Sequence, residues 1–218
     1  GGIGNVTFIP AGARRGEMTA FDTGPGNMLM DEVVSRITEG RENFDKDGRL
    51  AAKGAANDAL LTWLMGHDFI KQEPPKSAGR EEFGAEFADR VMSKAEESAL
   101  SGEDLIATVT AFTAESIADA YRRFIFPKGE LDEVILGGGG TCNATLRQMI
   151  ESRLNGVPVY THEDFGIPGH AKEALAFALL GNELISGRPA GLPDVTGANR
   201  PVLLGKIVPG VRIPKDLS

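Results

Sequence analysis

Four successive glycines, Gly137 to Gly140, follow the apolar run ending at Ile135 and Leu136 and lead through Thr141 and Cys142 to Asn143, a residue type that caps helices. A backbone without side chains can come up against a phosphate or the face of a base, and a helix N-terminus behind it favours negative charge. The chemistry is that of nucleotide binding. The same turn also lets a helix pack closely on a sheet, so by itself it does not decide. Two further segments add weight: Gly1-Gly2-Ile3-Gly4-Asn5-Val6-Thr7, and Phe21-Asp22-Thr23-Gly24-Pro25-Gly26-Asn27. Three glycine turns, each joined to a strand-like or helix-like stretch, fit several loops converging on one polyphosphate.

Within these segments Gly1, Gly2 and Asn5 offer backbone N–H groups and an amide, against the plain alternative of a hairpin turn. Asp22 and Thr23 bring a carboxylate and a hydroxyl into a turn with Gly24, Gly26 and Asn27, which suits phosphate or a magnesium-bound water. The same residues read equally as a turn former and a helix cap. Gly137, Gly138, Gly139 and Asn143 form the third contact. Glu173 stands in the first turn of a helix after Gly169, at the sheet end where a ligand would sit, or simply complements the helix dipole. Cys142, the sole cysteine, reads as a small buried thiol and cannot form an internal disulfide, in keeping with a reducing, cytoplasmic setting. Lys76 and Arg80 are either ligand-neutralising or solvated cations. His162 and His170, with Glu163 and Asp164, lack a metal-ligand spacing, so no metal site is assigned.

The elements that must position these residues follow from periodicity. Val6–Ile9 and Met18–Phe21 read as a hairpin, and Met30, Val33, Val34 and Ile37 as one helix face after Asn27, with Asp31 favourably in its first turn. A helix over 58–66 precedes the loop Phe69–Gly79, whose Pro74-Pro75 excludes helix and central strand. Helical patterns resume from Glu81 to Leu100 and from Ser101 to Phe126, the second a core-covering helix with Leu105, Val109, Phe112 and Ile117 on one face. Strand 133–136, a helix from Asn143, strand 157–160 and a helix from His170 to Ile185, with Ala174, Leu175, Ala178 and Leu179 inward, call for a parallel α/β arrangement with ligands at the strands' carboxyl ends. Residues 188–218 form a proline-rich strap with a strand-like stretch, Pro201–Val208. The apolar fraction of 41% is that of a soluble globular protein. With 23 basic against 31 acidic residues and a net charge of −8, a nucleic-acid surface is not expected. No stretch approaches the length of a membrane span.

Taken in order, these motifs, together with Asp45-Lys46-Asp47-Gly48, Pro74-Pro75-Lys76-Ser77-Ala78-Gly79-Arg80-Glu81 and Lys172-Glu173-Ala174-Leu175-Ala176-Phe177-Ala178, make the chain resemble the anhydro-N-acetylmuramic acid kinase family, which includes levoglucosan kinase, within the actin-like ATPase superfamily. Gly4 stands where that family usually has alanine. The resemblance implies an actin-like ATPase (ribonuclease H-like) lobe, a mixed sheet flanked by helices, with residues 1–187 as the C-terminal nucleotide-binding lobe. It implies ATP and Mg²⁺ as cofactors and, as partner, a small-molecule anhydro sugar whose bridge water opens while its 6-oxygen is phosphorylated. It assigns Gly1, Gly2 and Asn5 to phosphate, Gly137 to Gly139 to adenosine, and Glu173 to holding the attacking water or the sugar. The family's first phosphate loop and catalytic aspartate have no counterpart here, so the chain is expected to be a fragment that needs its N-terminal lobe for activity. A homodimer is left open. The alternative kept beside the kinase is a non-catalytic actin-like nucleotide-binding interaction module.

Overall fold

The chain is described by a computed structural model covering residues 1–14 and 16–208. Strand β1 (Ile3–Phe8) pairs antiparallel with β2 (Thr19–Pro25), Val6 opposite Phe21, and these alternate side chains point into the core. Both strands run further into the glycine segments than the sequence suggests, because the glycines there serve close approach rather than a turn. A Cβ on Gly24, which has φ of +156°, would come within 2.9 Å of Ser116 Cβ. The register slips between Gly4 and Asn5, leaving Thr23 as the extra residue of a bulge. Its buried hydroxyl has no hydrogen-bond partner.

Helix α1 (Met28–Ile37) buries Leu29, Met30, Val33 and Val34. Asp31 lies in its first turn, yet burial pushes the carboxyl up to about 6. Helix α2 (Asp58–Met65) is capped by Asn57, whose side chain accepts from Leu60 N–H. Two single turns follow, α3 (Asp68–Lys71) and α4 (Arg80–Phe83), and the expected long helix begins properly only after Gly84, as α5 (Ala85–Glu97).

Helix α6 (Gly102–Ala120), capped by Ser101, is the axis of the molecule. A core-covering helix with one apolar face is expected; instead α6 is buried on most sides. Alanines at 107, 111, 114 and 118 leave room for neighbours, and Thr108 and Thr110 satisfy their hydroxyls on the helix's own carbonyls, Thr110 on Ile106 at 2.8 Å. Its remaining polar stripe, Glu115 and Asp119, pairs with Arg122, Arg123 and Arg153.

Strands β3 (Val134–Leu136) and β4 (Val159–Thr161) are parallel, joined through α7 (Ala144–Glu151), as the strand–helix–strand pattern requires. The described strands form two two-stranded sheets, β1-β2 and β3-β4, rather than one. Residues of β1 and β3 face each other across a cleft. Helix α8 (Lys172–Ile185) departs from expectation: none of its side chains is buried, and Leu175 and Leu179 are 46% and 60% exposed, because no described element covers that face. After it come one short turn, α9 (Pro193–Thr196), and a segment that makes no strand, tied back where Gly191 N–H donates to Val202 O at 3.3 Å. Residues 209–218 of the proline-rich tail lie outside the described residues. Among the described residues no helix is long and apolar enough to cross a membrane.

Candidate functional site

The first turn of the chain folds onto the start of α1. Gly26 N–H and Met28 N–H both donate to Gly2 O, at 2.8 and 3.1 Å, and Asn27 N–H donates to Gly1 O at 3.0 Å. Asn27 sits at the N-cap position of α1 but makes no capping bond with its side chain. Its amide is turned instead toward the four-glycine run: Cβ atoms on Gly139 and Gly140 would fall 3.3 Å from its Nδ2 and 2.8 Å from its Oδ1. Gly138 has φ of +95°, and a Cβ there would reach within 2.9 Å of the Gly1 nitrogen. A side chain on Gly138 would push the Gly1 backbone away, and one on Gly140 would displace the Asn27 amide.

These three segments border one cleft of about 1090 Å³. Gly1, Gly4, Asn5, Gly26 and Asn27 line one wall and Gly137 to Cys142 the other, with Thr113 and Ile117 of α6 and Tyr121 just after it between them. Thr113 also donates to Gly26 O at 3.1 Å, fixing the loop to α6. His162, Glu163, Gly169, Lys172 and Glu173 also line the cleft. The Glu163 carboxyl is held below the usual carboxylate range by backbone N–H groups, its own and that of Gly169, which donates at 2.9 Å. Cys142, expected to be buried, is exposed on the cleft wall, because the tight turn Gly139–Cys142 carries it outward ahead of the helix.

Gly2, Asp22, Thr23, Gly24 and Asn143 do not line this cleft; they hold the residues that do. Gly2 supplies the carbonyl just described and packs against Met28. Asp22 accepts from Asn5 Nδ2 at 3.1 Å, Ser77 Oγ at 3.0 Å and Ala78 N–H at 2.8 Å, which ties the hairpin to the loop after Pro75. Thr23 is the bulge residue and Gly24 the close contact to α6. Asn143 is buried and caps α7, its Oδ1 accepting from Leu146 N–H at 2.9 Å.

Two motifs of the sequence have structural work nearby. The Asp45 carboxylate accepts from Leu50 N–H and Ala51 N–H, at 2.8 and 2.9 Å, closing a turn that presents Gly48 to the start of α7. Thr145 Oγ1 donates to Gly48 O at 2.8 Å, and the space a Gly48 side chain would need is filled by the Asn143 and Thr145 side chains. Lys76 is neither solvated nor in the cleft: its amine is buried, donates to Phe69 O and Ile70 O, and lies 4.7 Å from the centre of the Phe69 ring. Burial lowers its pKa, with Arg123 adding to the effect. His162, Lys172 and Thr113 are among the cleft residues that the sequence does not place at a ligand; of these three, the strand-end position of His162 gives a hint of it.

The sequence model of the family described as "Anhydro-N-acetylmuramic acid kinase" matches residues 1–210. A protein named anhydro-N-acetylmuramic acid kinase from Caldanaerobacter subterraneus subsp. tengcongensis is 51% identical over 207 residues, 95% of this chain and 52% of the relative. Proteins of the same name from Bacillus cereus strain G9842 and Bacillus anthracis strain CDC 684 are 46% and 45% identical over 209 residues, 95% of this chain and 54% of each relative. The chain thus spans about half the length of the curated relatives it matches. Its mixed α/β architecture is consistent with the actin-like ATPase fold of those kinases. With the family's sequence matched along nearly all of its length and the glycine segments gathered on one cleft, the chain belongs to the anhydro-N-acetylmuramic acid kinase family.

Proposed function

We propose that this chain carries the nucleotide-binding part of an ATP-dependent kinase acting on 1,6-anhydro-N-acetylmuramic acid. The observation that carries the reading is the meeting of Gly1, Asn27 and Gly138 to Gly140 on one cleft that Glu173 also lines. In the reaction so proposed, water adds to the anomeric carbon and opens the anhydro bridge, the released 6-oxygen attacks the γ-phosphorus of ATP, and ADP leaves with the former β–γ bridging oxygen. The backbone of Gly1, Gly138 and Gly139 and the amides of Asn5 and Asn27 hold and orient the nucleotide in this scheme, and Glu173 holds the attacking water or the sugar.

Magnesium belongs to this reading as the companion of the triphosphate. The described residues gather no set of three or more carboxylate, histidine or cysteine ligands, and both oxygens of Asp22 are occupied by N–H and O–H donors. An ion that keeps most of its water and takes its ligands mainly from substrate phosphates fits such a cleft without a protein cage of its own. The non-catalytic module is not favoured, since the matched relatives carry the name of a kinase.

The test is ADP release from the full-length protein, coupled to a spectrophotometric readout, with Mg·ATP and either 1,6-anhydro-N-acetylmuramic acid or levoglucosan. Sugar-dependent ADP from the muramic acid derivative is expected. ADP from neither sugar overturns the kinase, and ADP from levoglucosan alone reassigns the substrate.

A further inference from the structure

Charge in the cleft is one-sided. Five carboxylates line it, those of Glu130, Asp132, Glu133, Glu163 and Glu173, against two cationic side chains among the described residues, Arg147 and Lys172. Asp164 is held below the usual carboxylate range by the Thr161 N–H and hydroxyl, with Arg147 adding its charge, so Arg147 already faces an anion of the chain itself. Lys172 faces none: among the described residues no ion pair or hydrogen bond engages its amine. The amine lies over the glycine wall, 3.1 Å from where a Cβ on Gly137 would stand. Gly137 directly follows β3, at the carboxyl end of a parallel strand, which is where such folds place their ligands.

Lys172 and Glu173 together open α8, and both line the cleft. The uncommitted cation therefore stands beside the residue that holds the attacking water or the sugar in the scheme above. Two anions enter that scheme. The triphosphate brings magnesium, which offsets part of its own charge. The sugar brings no counterion: its lactyl ether ends in a carboxylate, which in a cleft lined by carboxylates meets like charge unless a cation receives it. We propose that Lys172 is that cation, its ammonium pairing with the lactyl carboxylate of 1,6-anhydro-N-acetylmuramic acid and so selecting the acidic sugar over levoglucosan, which lacks the group. This rests on the kinase reading given above and adds to it the residue that sets the substrate.

The experiment is the coupled ADP-release assay on the full-length protein at saturating Mg·ATP, with 1,6-anhydro-N-acetylmuramic acid and with its carboxamide, which keeps the shape and loses the charge. Wild type is expected to show a KM for the acid about tenfold below that for the amide, the worth of one hydrogen bond to a charged group at a partly exposed site, with similar kcat. Lys172→Met keeps the length of the side chain and removes its charge. It raises the KM for the acid about tenfold with no further loss on the amide, so the preference falls to near one, whereas Lys172→Arg retains most of it. The position is exposed, so the thermal midpoints stay unchanged. Equal losses on acid and amide in Lys172→Met, whether in kcat or in KM, overturn the assignment and put the cation at the triphosphate instead. A wild type that takes both sugars equally well also overturns it. No ADP from either sugar removes the kinase reading itself.

Discussion

Asn27 shows how one side chain separates stability from binding. Truncating a residue at the N-cap position ordinarily costs about 0.5–2 kcal/mol, but the Asn27 side chain makes no capping bond and lies instead against Gly139 and Gly140. Asn27→Ala is therefore expected to lower the thermal midpoint little while weakening ATP binding roughly fivefold to tenfold, one polar contact's worth. Scanning fluorimetry with and without ATP reads both effects, and a large loss of midpoint in the absence of nucleotide refutes the separation. Glu173 poses the converse case. If it holds the reacting water or sugar, Glu173→Gln lowers kcat by about 10²–10⁴ with the dissociation constant for ATP unchanged. If it only complements the helix dipole, the cost is about 0.3–1 kcal/mol of stability and no such rate loss.

At the scale of elements, the turn Asp45–Gly48 and the start of α7 act as a unit behind the glycine wall. Gly48 has φ of +74° and no room for a Cβ beside Asn143 and Thr145. Gly48→Ala should thus cost about 1–3 kcal/mol from strain and displacement of the cap, and a midpoint drop of about 2–4 °C per kcal/mol makes it measurable. Cys142, carried outward by the turn ahead of α7, reports on the same wall: its alkylation by a maleimide is expected to slow several-fold when ATP is bound, and an unaltered rate would place the nucleotide elsewhere. The gathering of three glycine segments was legible in the sequence because glycine spacing and strand–helix order constrain where backbones can meet. The exact extent of β2 was not, since Gly24 looks like a turn residue until Ser116 is seen against it. Lys76 likewise reads as a loop cation, and only the carbonyls of Phe69 and Ile70 folding over it explain its burial. The face of α8 was misread for a different reason: periodicity reports that a helix has an apolar side, but not which part of a molecule covers it.

For the molecule as a whole, two acidic groups on neighbouring parts of the core pull stability in opposite directions with pH. Burial raises the Glu115 pKa, but hydrogen bonds from Arg122 and Arg153 at 2.6 and 2.8 Å more than offset it and leave the carboxyl below its ordinary value. Its folded state binds fewer protons than the unfolded one, so the contribution is present above the ordinary carboxylate pKa and is lost as pH falls through the lowered value. Asp31 is the reverse case, raised by burial from 3.8 to about 6. Between those values the folded chain binds the extra proton, stability drops as pH rises, and the penalty is complete above about pH 7. Such a displacement corresponds to at most about 3 kcal/mol, and solvent screening of a half-exposed carboxyl reduces it to about 1 kcal/mol. Asp31→Asn, which keeps the shape and removes the charge, is accordingly expected to raise the thermal midpoint by about 2–4 °C at pH 7.5, with about half that gain at pH 5, where the folded-state carboxyl is still largely protonated. Equal gains at both pH values would assign the effect to helix propensity rather than to the buried charge, because propensity does not titrate.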